Sequence, residues 1–340
     1  MPNRTPRQGG GRPEPEPKPF GKVIIARPKS QRAITKHDKF VPDAYTGRLT
    51  CTLTALTPIH IGSGIYELEG ENPVRGVITA DDKTIVPGTS LKGAIRSIAE
   101  AISDSCVRIT KKDIEKNLAV RDARPCDELK SKHRQSGGEK TRDPRLCVCC
   151  SIFGALGYQG RVSFSDARLV KGSLAVHQIQ SPYPPRESAR IYKDARGQFN
   201  GRKFYYHGEP LTSQRGEPYH IITKDSQLEF TMSFESVTAQ ELCLVLVAMG
   251  IFDEMVIKIG GGKQAMLGSV KVTPTKLELQ ATETSFSDFS AGARVIEADV
   301  VKYLFDQVGS ASTLINETAL DELIRIWEWP SSRRAPTGVY

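Results

Sequence analysis

LEFTMSFESVTAQELCLVLVAM, residues 228–249, decides the fold. Leu228, Phe230, Met232 and Phe234 alternate with polar residues, the two-residue period of a strand with one buried face. The period then changes. Thr238-Ala-Gln-Glu241 has the spacing of a capping box, in which the Thr and Glu side chains each satisfy an orphan backbone N–H of the other. Leu242, Val245, Leu246 and Met249 follow at helical spacing. A strand running straight into a capped helix is the first part of a βαβ unit, and Val270 and Val272 supply the strand that completes it.

The same pattern occurs once upstream. Leu49, Cys51, Leu53 and Ala55 alternate as a strand. Pro87-Gly-Thr-Ser90 turns into a helix whose apolar stripe is Leu91, Ile95, Ile98 and Ile102, and Val162 and Phe164 begin another strand. The order βαββαβ predicts an α+β domain of ferredoxin-like type, an antiparallel sheet with two helices on one face. Three long stretches interrupt it, at 62–86, 104–159 and 172–225; loops of this length inside a compact domain carry function or their own structure. We expect a flexible basic Pro/Arg-rich tail over 1–43, with six prolines in the first 21 residues. The core spans 44–280, with insertions at 104–150 and 172–225. A helical appendage covers 281–340, with helices over 294–308 and 317–328.

Of the 340 residues 39% are hydrophobic and 25% charged, which excludes wholesale disorder. No apolar run approaches the roughly eighteen residues that a membrane helix needs. The opening MPNRTPRQGGGRPEPEPKPF lacks the apolar centre of a secretion signal, so a cytoplasmic location is expected, and with it reduced cysteines. The net charge of +8 is unevenly placed. Residues 1–40 hold ten Lys/Arg against three Asp/Glu, residues 108–146 twelve against seven, residues 181–224 eight against four, and residues 274–340 six against ten. Basic segments on a near-neutral core point to a polyanionic partner.

Four motifs carry chemistry. Cys147 and Cys150 form a Cys-x-x-Cys pair, with Cys126 and His133 upstream; four soft ligands in a segment with little apolar content suit structural tetrahedral Zn2+, with Cys106 and Cys149 as substitute ligands. Gly260-Gly261-Gly262-Lys263 is a glycine-rich loop whose backbone can approach phosphate closely. Ile257 stands where a Walker loop has its first glycine and Gln264 follows the lysine, which disfavours nucleotide hydrolysis. Lys92 and Arg96, spaced i, i+4 behind Ser90 at a helix start, suggest an anion site. Residues 181–207 interleave Arg186, Arg190, Arg202 and Lys203 with Tyr183, Tyr192, Phe199, Phe204, Tyr205 and Tyr206, cations for phosphates beside rings for bases.

Thr57-Pro-Ile-His60-Ile-Gly-Ser-Gly64, Ile85-Val-Pro-Gly-Thr-Ser-Leu-Lys-Gly-Ala-Ile-Arg96, CVCCSIFG over 147–154, GRVSFSD over 160–166 and GGGKQAMLG over 260–268 occur in this order. Together they resemble the RAMP superfamily of CRISPR-associated proteins, and within it the backbone subunits of type III effector complexes. The resemblance covers roughly residues 47–275. It implies an RRM-like core, stacking of paralogous subunits along a guide RNA (crRNA) and its complementary target RNA, a large polymerase-like subunit as a further partner, and a thumb over 172–225. His60, Lys92, Arg96 and the Gly260–Gly262 loop then fall at guide-RNA contacts. Members that cut target RNA carry an acidic residue, commonly Asp, ahead of an Asn/Ser-Pro-Val run. Here the run is Asn72-Pro-Val, and Glu71 precedes it. Its longer side chain displaces the carboxylate, and a misplacement of about 1 Å costs on the order of a hundredfold in rate. Cleavage would need Mg2+ or another divalent ion at such a carboxylate, with Glu67 and Glu69 as substitutes. The expectation is a guide-binding subunit that cuts poorly or not at all. Two other classes stay open on the residues alone: a metal-independent guide-processing endoribonuclease and a zinc-stabilised RNA-binding assembly protein outside CRISPR.

Overall fold

A computed structural model describes residues 18–25, 27, 29–39, 41–107, 118–120, 123, 125–126, 145–179, 193–210, 216–252, 255–280, 292–309 and 312–336. The elements begin with β1 (Phe20–Ile24), β2 (Gln31–Ala33) and β3 (Ala44–Ala55). The first interruption holds β4 (Gly62–Glu69), β5 (Asn72–Val77), β6 (Thr79–Ala80) and β7 (Lys83–Val86), ahead of α1 (Gly88–Ala101). Next come β8 (Arg145–Cys147), α2 (Val148–Phe153), β9 (Val162–Phe164), β10 (Ala167–Lys171), β11 (Leu174–Ile179), β12 (Gly201–Tyr205) and β13 (Glu217–Ile222). The chain ends with β14 (Gln227–Thr238), α3 (Ala239–Ala248), β15 (Ile257–Lys258), β16 (Ser269–Leu279), β17 (Arg294–Ile296), α4 (Val300–Val308) and α5 (Glu317–Ile326).

The main sheet is antiparallel at every described pairing, and runs β15-β16-β3-β14-β10-β7-β6, with β9 also on β14. The alternation read from sequence is its register. Leu53 stands between Leu228 and Val272, and Leu49 between Met232 and Leu277, so rows of apolar side chains cross three strands. Leu49, Leu53, Leu228, Met232 and Leu277 are fully buried. On the opposite face the same strands present Thr50, Thr52, Thr54, Thr231 and Ser233. Pro274 interrupts β16 at a register shift, which is how a strand accommodates a residue without an N–H.

Both core helices lie on the apolar side and touch each other. The capping box of α3 is formed: Glu241 N–H donates to Thr238 Oγ1 at 3.3 Å and Thr238 N–H to Glu241 Oε2 at 3.1 Å. Buried Arg161, from GRVSFSD, donates two further bonds to the same carboxylate at 2.6 and 2.9 Å. Leu242 to Ala248 are all buried, with both α1 and α4 packed against α3.

Three expectations change. Residues 20–24, placed in the tail, form β1, which pairs with β12 and buries Phe20 and Val23; its partner lies some 180 residues away, beyond the reach of local pattern. Residues 294–296, expected to start a helix, instead pair with Leu277–Leu279 of β16, and the helix begins at Val300. The stretch 172–225 is divided: β11 and β13 join β5 and β4 in a second sheet, while β12 leaves for β1.

Candidate nucleic-acid groove and metal centre

The TPIHIG segment and the glycine loop meet because the chain pairs them. Gly261 N–H donates to the His60 carbonyl at 2.8 Å, and Gly268 N–H to the Pro58 carbonyl at 2.8 Å. Gly260 has φ +73°, and a Cβ there would sit 2.4 Å from the His60 carbonyl oxygen, so this approach requires glycine. Beside the junction, α1 and β12 complete a cavity of about 440 Å³. Of the residues singled out from sequence, Ser90, Lys203, Tyr205, Gly260, Gly261 and Lys263 all line it. Gly93 opens the α1 side, where a Cβ would meet nothing within 4 Å.

Three lysines line this cavity, Lys203, Lys258 and Lys263, and among the described residues no Asp or Glu does. Lys203 Nζ donates to Tyr205 Oη at 2.8 Å and sits over the Tyr205 and Phe20 rings. Lys258 is 3% exposed and donates to the Leu267 carbonyl at 3.0 Å. Burial, with Lys263 adding to it, pushes the Lys258 ammonium down to about 7. Burial also lowers Lys263. Burial without a carboxylate among the described lining residues disfavours the charged form of Lys258, and an anion entering the cavity would favour it. Lys258 escaped the sequence reading because Ile257-Lys258-Ile259 looks like one more half-buried strand; its position one residue before the glycine loop was the available signal.

Other residues expected at RNA are placed elsewhere. His60 is buried, with Nδ1 2.8 Å from the His220 carbonyl and its ring edge-on to Tyr219, so it pins the loop beneath the cavity. Gly262 has φ +67° and starts the turn at Lys263–Ala265, outside the lining. The expected anion site at the start of α1 is already used: Asp166 Oδ1 accepts the Gly88 N–H at 2.8 Å, and Lys92 Nζ donates to the Val162 carbonyl at 3.0 Å. Arg96 and Arg202 share buried Glu100. Phe204 lines the cavity but is buried and packs edge-on against Trp327, so it offers no open ring face for a base. Arg186, Arg190, Tyr183 and Tyr192 lie outside the described residues.

Glu71 stands exposed at the turn between β4 and β5. Glu67 Oε2 lies 3.0 Å and Glu69 Oε2 3.7 Å from the ring nitrogens of His220. Arg75 pairs with Glu217 at 2.7 Å beneath Tyr66 and Tyr219. Among the described residues, no cluster of metal-ligating groups includes Glu71.

The candidate metal centre consists of Cys106, Cys126, Cys147 and Cys150, whose sulfurs all lie within 4.8 Å of one another and could hold a metal ion. Cys106 Sγ is 3.4 Å from Cys150 Sγ and 3.6 Å from Cys147 Sγ. A tetrahedron with Zn–S near 2.3 Å has S···S edges of about 3.8 Å, whereas a disulfide needs about 2.05 Å. The set therefore fits a tetrahedral metal such as zinc, and none of the seven cysteines is joined in a disulfide. Cys106, held as a substitute from sequence, supplies the fourth sulfur; His133 lies outside the described residues. Hydrogen bonds from the Cys106 thiol first, then Cys147 and Cys150, hold Cys126 below the usual thiol range. Cys149 points away, toward Ser103, and burial pushes its thiol up to about 12. Bound there, the metal would supply a covalent tie between segments far apart in the chain.

Among the described residues, no helix is long and apolar enough to cross a membrane. A family model described as the RAMP superfamily matches residues 52–271. No curated protein matches the chain.

Proposed function

From the premise that the chain belongs to the RAMP superfamily, we propose that it is a guide-RNA-binding backbone subunit of a type III CRISPR effector complex, and that the lysine-lined groove holds the guide's phosphates. Membership carries a CRISPR-associated role in RNA binding, with RNA and other CRISPR subunits as partners. The observation that supports the finer reading is convergence. Six residues from three separate sequence motifs line one cavity that has three lysines and, among the described residues, no carboxylate. The strand order β16-β3-β14, with β9 also pairing β14, supports the ferredoxin-like reading of the core. An RRM-type protein stacks bases on aromatic side chains of its open sheet face. This sheet offers Thr50, Thr52, Thr54 and Thr231 there, so the helix side with its glycine loop is the better RNA surface.

The groove grips backbone rather than reading bases, so affinity should fall steeply with salt. Removing one phosphate-binding cation should lower the slope of log K against log[salt] by about 0.7 for a single strand. Lys203→Ala and Lys263→Ala are each expected to do this without unfolding the protein. The decisive experiment purifies the protein from cells that carry a repeat array and sequences the RNA that comes with it. Guides sharing one repeat-derived 5′ end support the reading. Unrelated RNA, or binding unchanged when all three groove lysines are removed, refutes it. For target cleavage the proposal is a holding role. Glu71→Ala in the assembled complex is expected to leave every cut position in place, and loss of one cut would make Glu71 catalytic.

A further inference from the structure

Arg96 uses three guanidinium nitrogens inside the protein. Nε donates to Glu100 Oε1 at 2.7 Å, Nη1 donates to the Gly154 carbonyl at 2.8 Å, and Nη2 points at Cys150 Sγ at 3.3 Å. The other oxygen of Glu100 accepts from Arg202 Nη2 at 2.8 Å, and Arg202 Nη1 donates to the Ser97 carbonyl at 2.9 Å. The Glu100 carboxylate is buried, and both guanidinium groups are largely so. Two cations thus share one anion, leaving one positive charge beside the sulfur cluster. A divalent metal on four thiolates carries two negative charges, and burying them needs hydrogen-bond donors and positive charge close to the sulfurs. Among the described residues, Arg96 is the charged group hydrogen-bonded to a sulfur of the cluster.

We propose that Arg96 is a positioning residue of the metal centre. Its Nη2–H donates to the Cys150 thiolate, holds that sulfur in the ligating orientation and offsets charge on the loaded site. Glu100 and Arg202 lock the guanidinium in place. Because Arg202 precedes Lys203 on β12, the same series of bonds ties the metal centre to the strand that walls the groove. This assignment rests on the metal reading of the four cysteines, and it removes Arg96 from the set of RNA-binding residues suggested by its helical spacing to Lys92.

The test uses the full chain, loaded with zinc or with Co2+, and compares wild type with Arg96→Gln and Arg96→Lys. Arg96→Gln keeps a donor and drops the charge; Arg96→Lys keeps the charge and drops the fork. Arg96→Gln is expected to loosen zinc by about 10- to 100-fold in chelator competition. It should also raise the pH at which acid releases the metal and shift the thiolate-to-cobalt charge-transfer band, while Arg96→Lys restores part of each. A merely structural arginine would leave that band where it is. Unchanged zinc competition and an unchanged cobalt spectrum in folded Arg96→Gln overturn the proposal. So does RNA binding abolished with the metal fully retained, which returns Arg96 to the RNA. Should Arg96→Gln fail to fold, Arg202→Gln leaves the bond to sulfur but unlocks its donor. A faster zinc release supports the linkage through Glu100, and an unchanged rate overturns it. Wild-type protein that takes up neither zinc nor cobalt overturns the metal reading itself, and this inference with it.

Discussion

Lys258 shows how one residue sets a pH dependence. Its folded pKa of about 7 lies below the unfolded value of about 10.4. Between these two the unfolded chain binds more protons, so without a ligand stability rises with pH through that window. The groups near this ammonium are Lys263 and His207, the latter held neutral down to about 3 chiefly by its own burial. A bound phosphate reverses the preference and favours the protonated amine. RNA affinity is therefore expected to fall as pH rises above about 7, by no more than about tenfold per pH unit from this one proton. Fluorescence anisotropy across that range checks it; Lys258→Met should bind more weakly and respond less to pH. Arg161 makes a second residue-scale prediction. Arg161→Met leaves Glu241 buried without its cation, and urea unfolding should show a loss of about 3–5 kcal/mol. The Gly-Arg motif was visible in sequence, but its partner on another element was not.

Among elements, α1 is placed by what touches its first residue. A Cβ on Gly88 would lie 2.0 Å from the Phe164 carbonyl oxygen, so Gly88→Ala should push α1 off β9 at a cost of about 1–3 kcal/mol. A lowered Tm with RNA binding reduced in parallel is the expected outcome. The core strands and helices were legible because their periods are local: 228–249 carries both, and the capping box stands where it was read. Strands β1 and β17 were not legible. Each is short, and each exists through pairing with a partner that local sequence does not name, Gly201–Tyr205 for β1 and Leu277–Leu279 for β17. Phe20 reports on the first pairing. It is 3% exposed, so Phe20→Ala should destabilise by about 3–5 kcal/mol, whereas an alanine in a flexible tail would cost nothing.

At the scale of the whole molecule, Cys106, Cys126 and the Cys147–Cys150 turn come from three separated segments whose sulfurs meet at one cluster. Chelation is expected to lower Tm and to make 104–150 protease-sensitive, while the strands β3, β14 and β16 keep their amide-exchange protection. Uniform loss of protection would show instead that the metal holds the entire fold. The sequence by itself determined the α+β class, the family and the Cys-x-x-Cys half of the candidate metal centre, because each is encoded within short stretches of the chain. Tertiary structure decided which cations face the groove and which serve elsewhere. Lys203, Lys258 and Lys263 stand in a cavity without a carboxylate, while Arg96 and Arg202 meet on Glu100. A charged side chain's role depends on whether a counter-charge reaches it, and that is settled by packing among elements far apart in the chain.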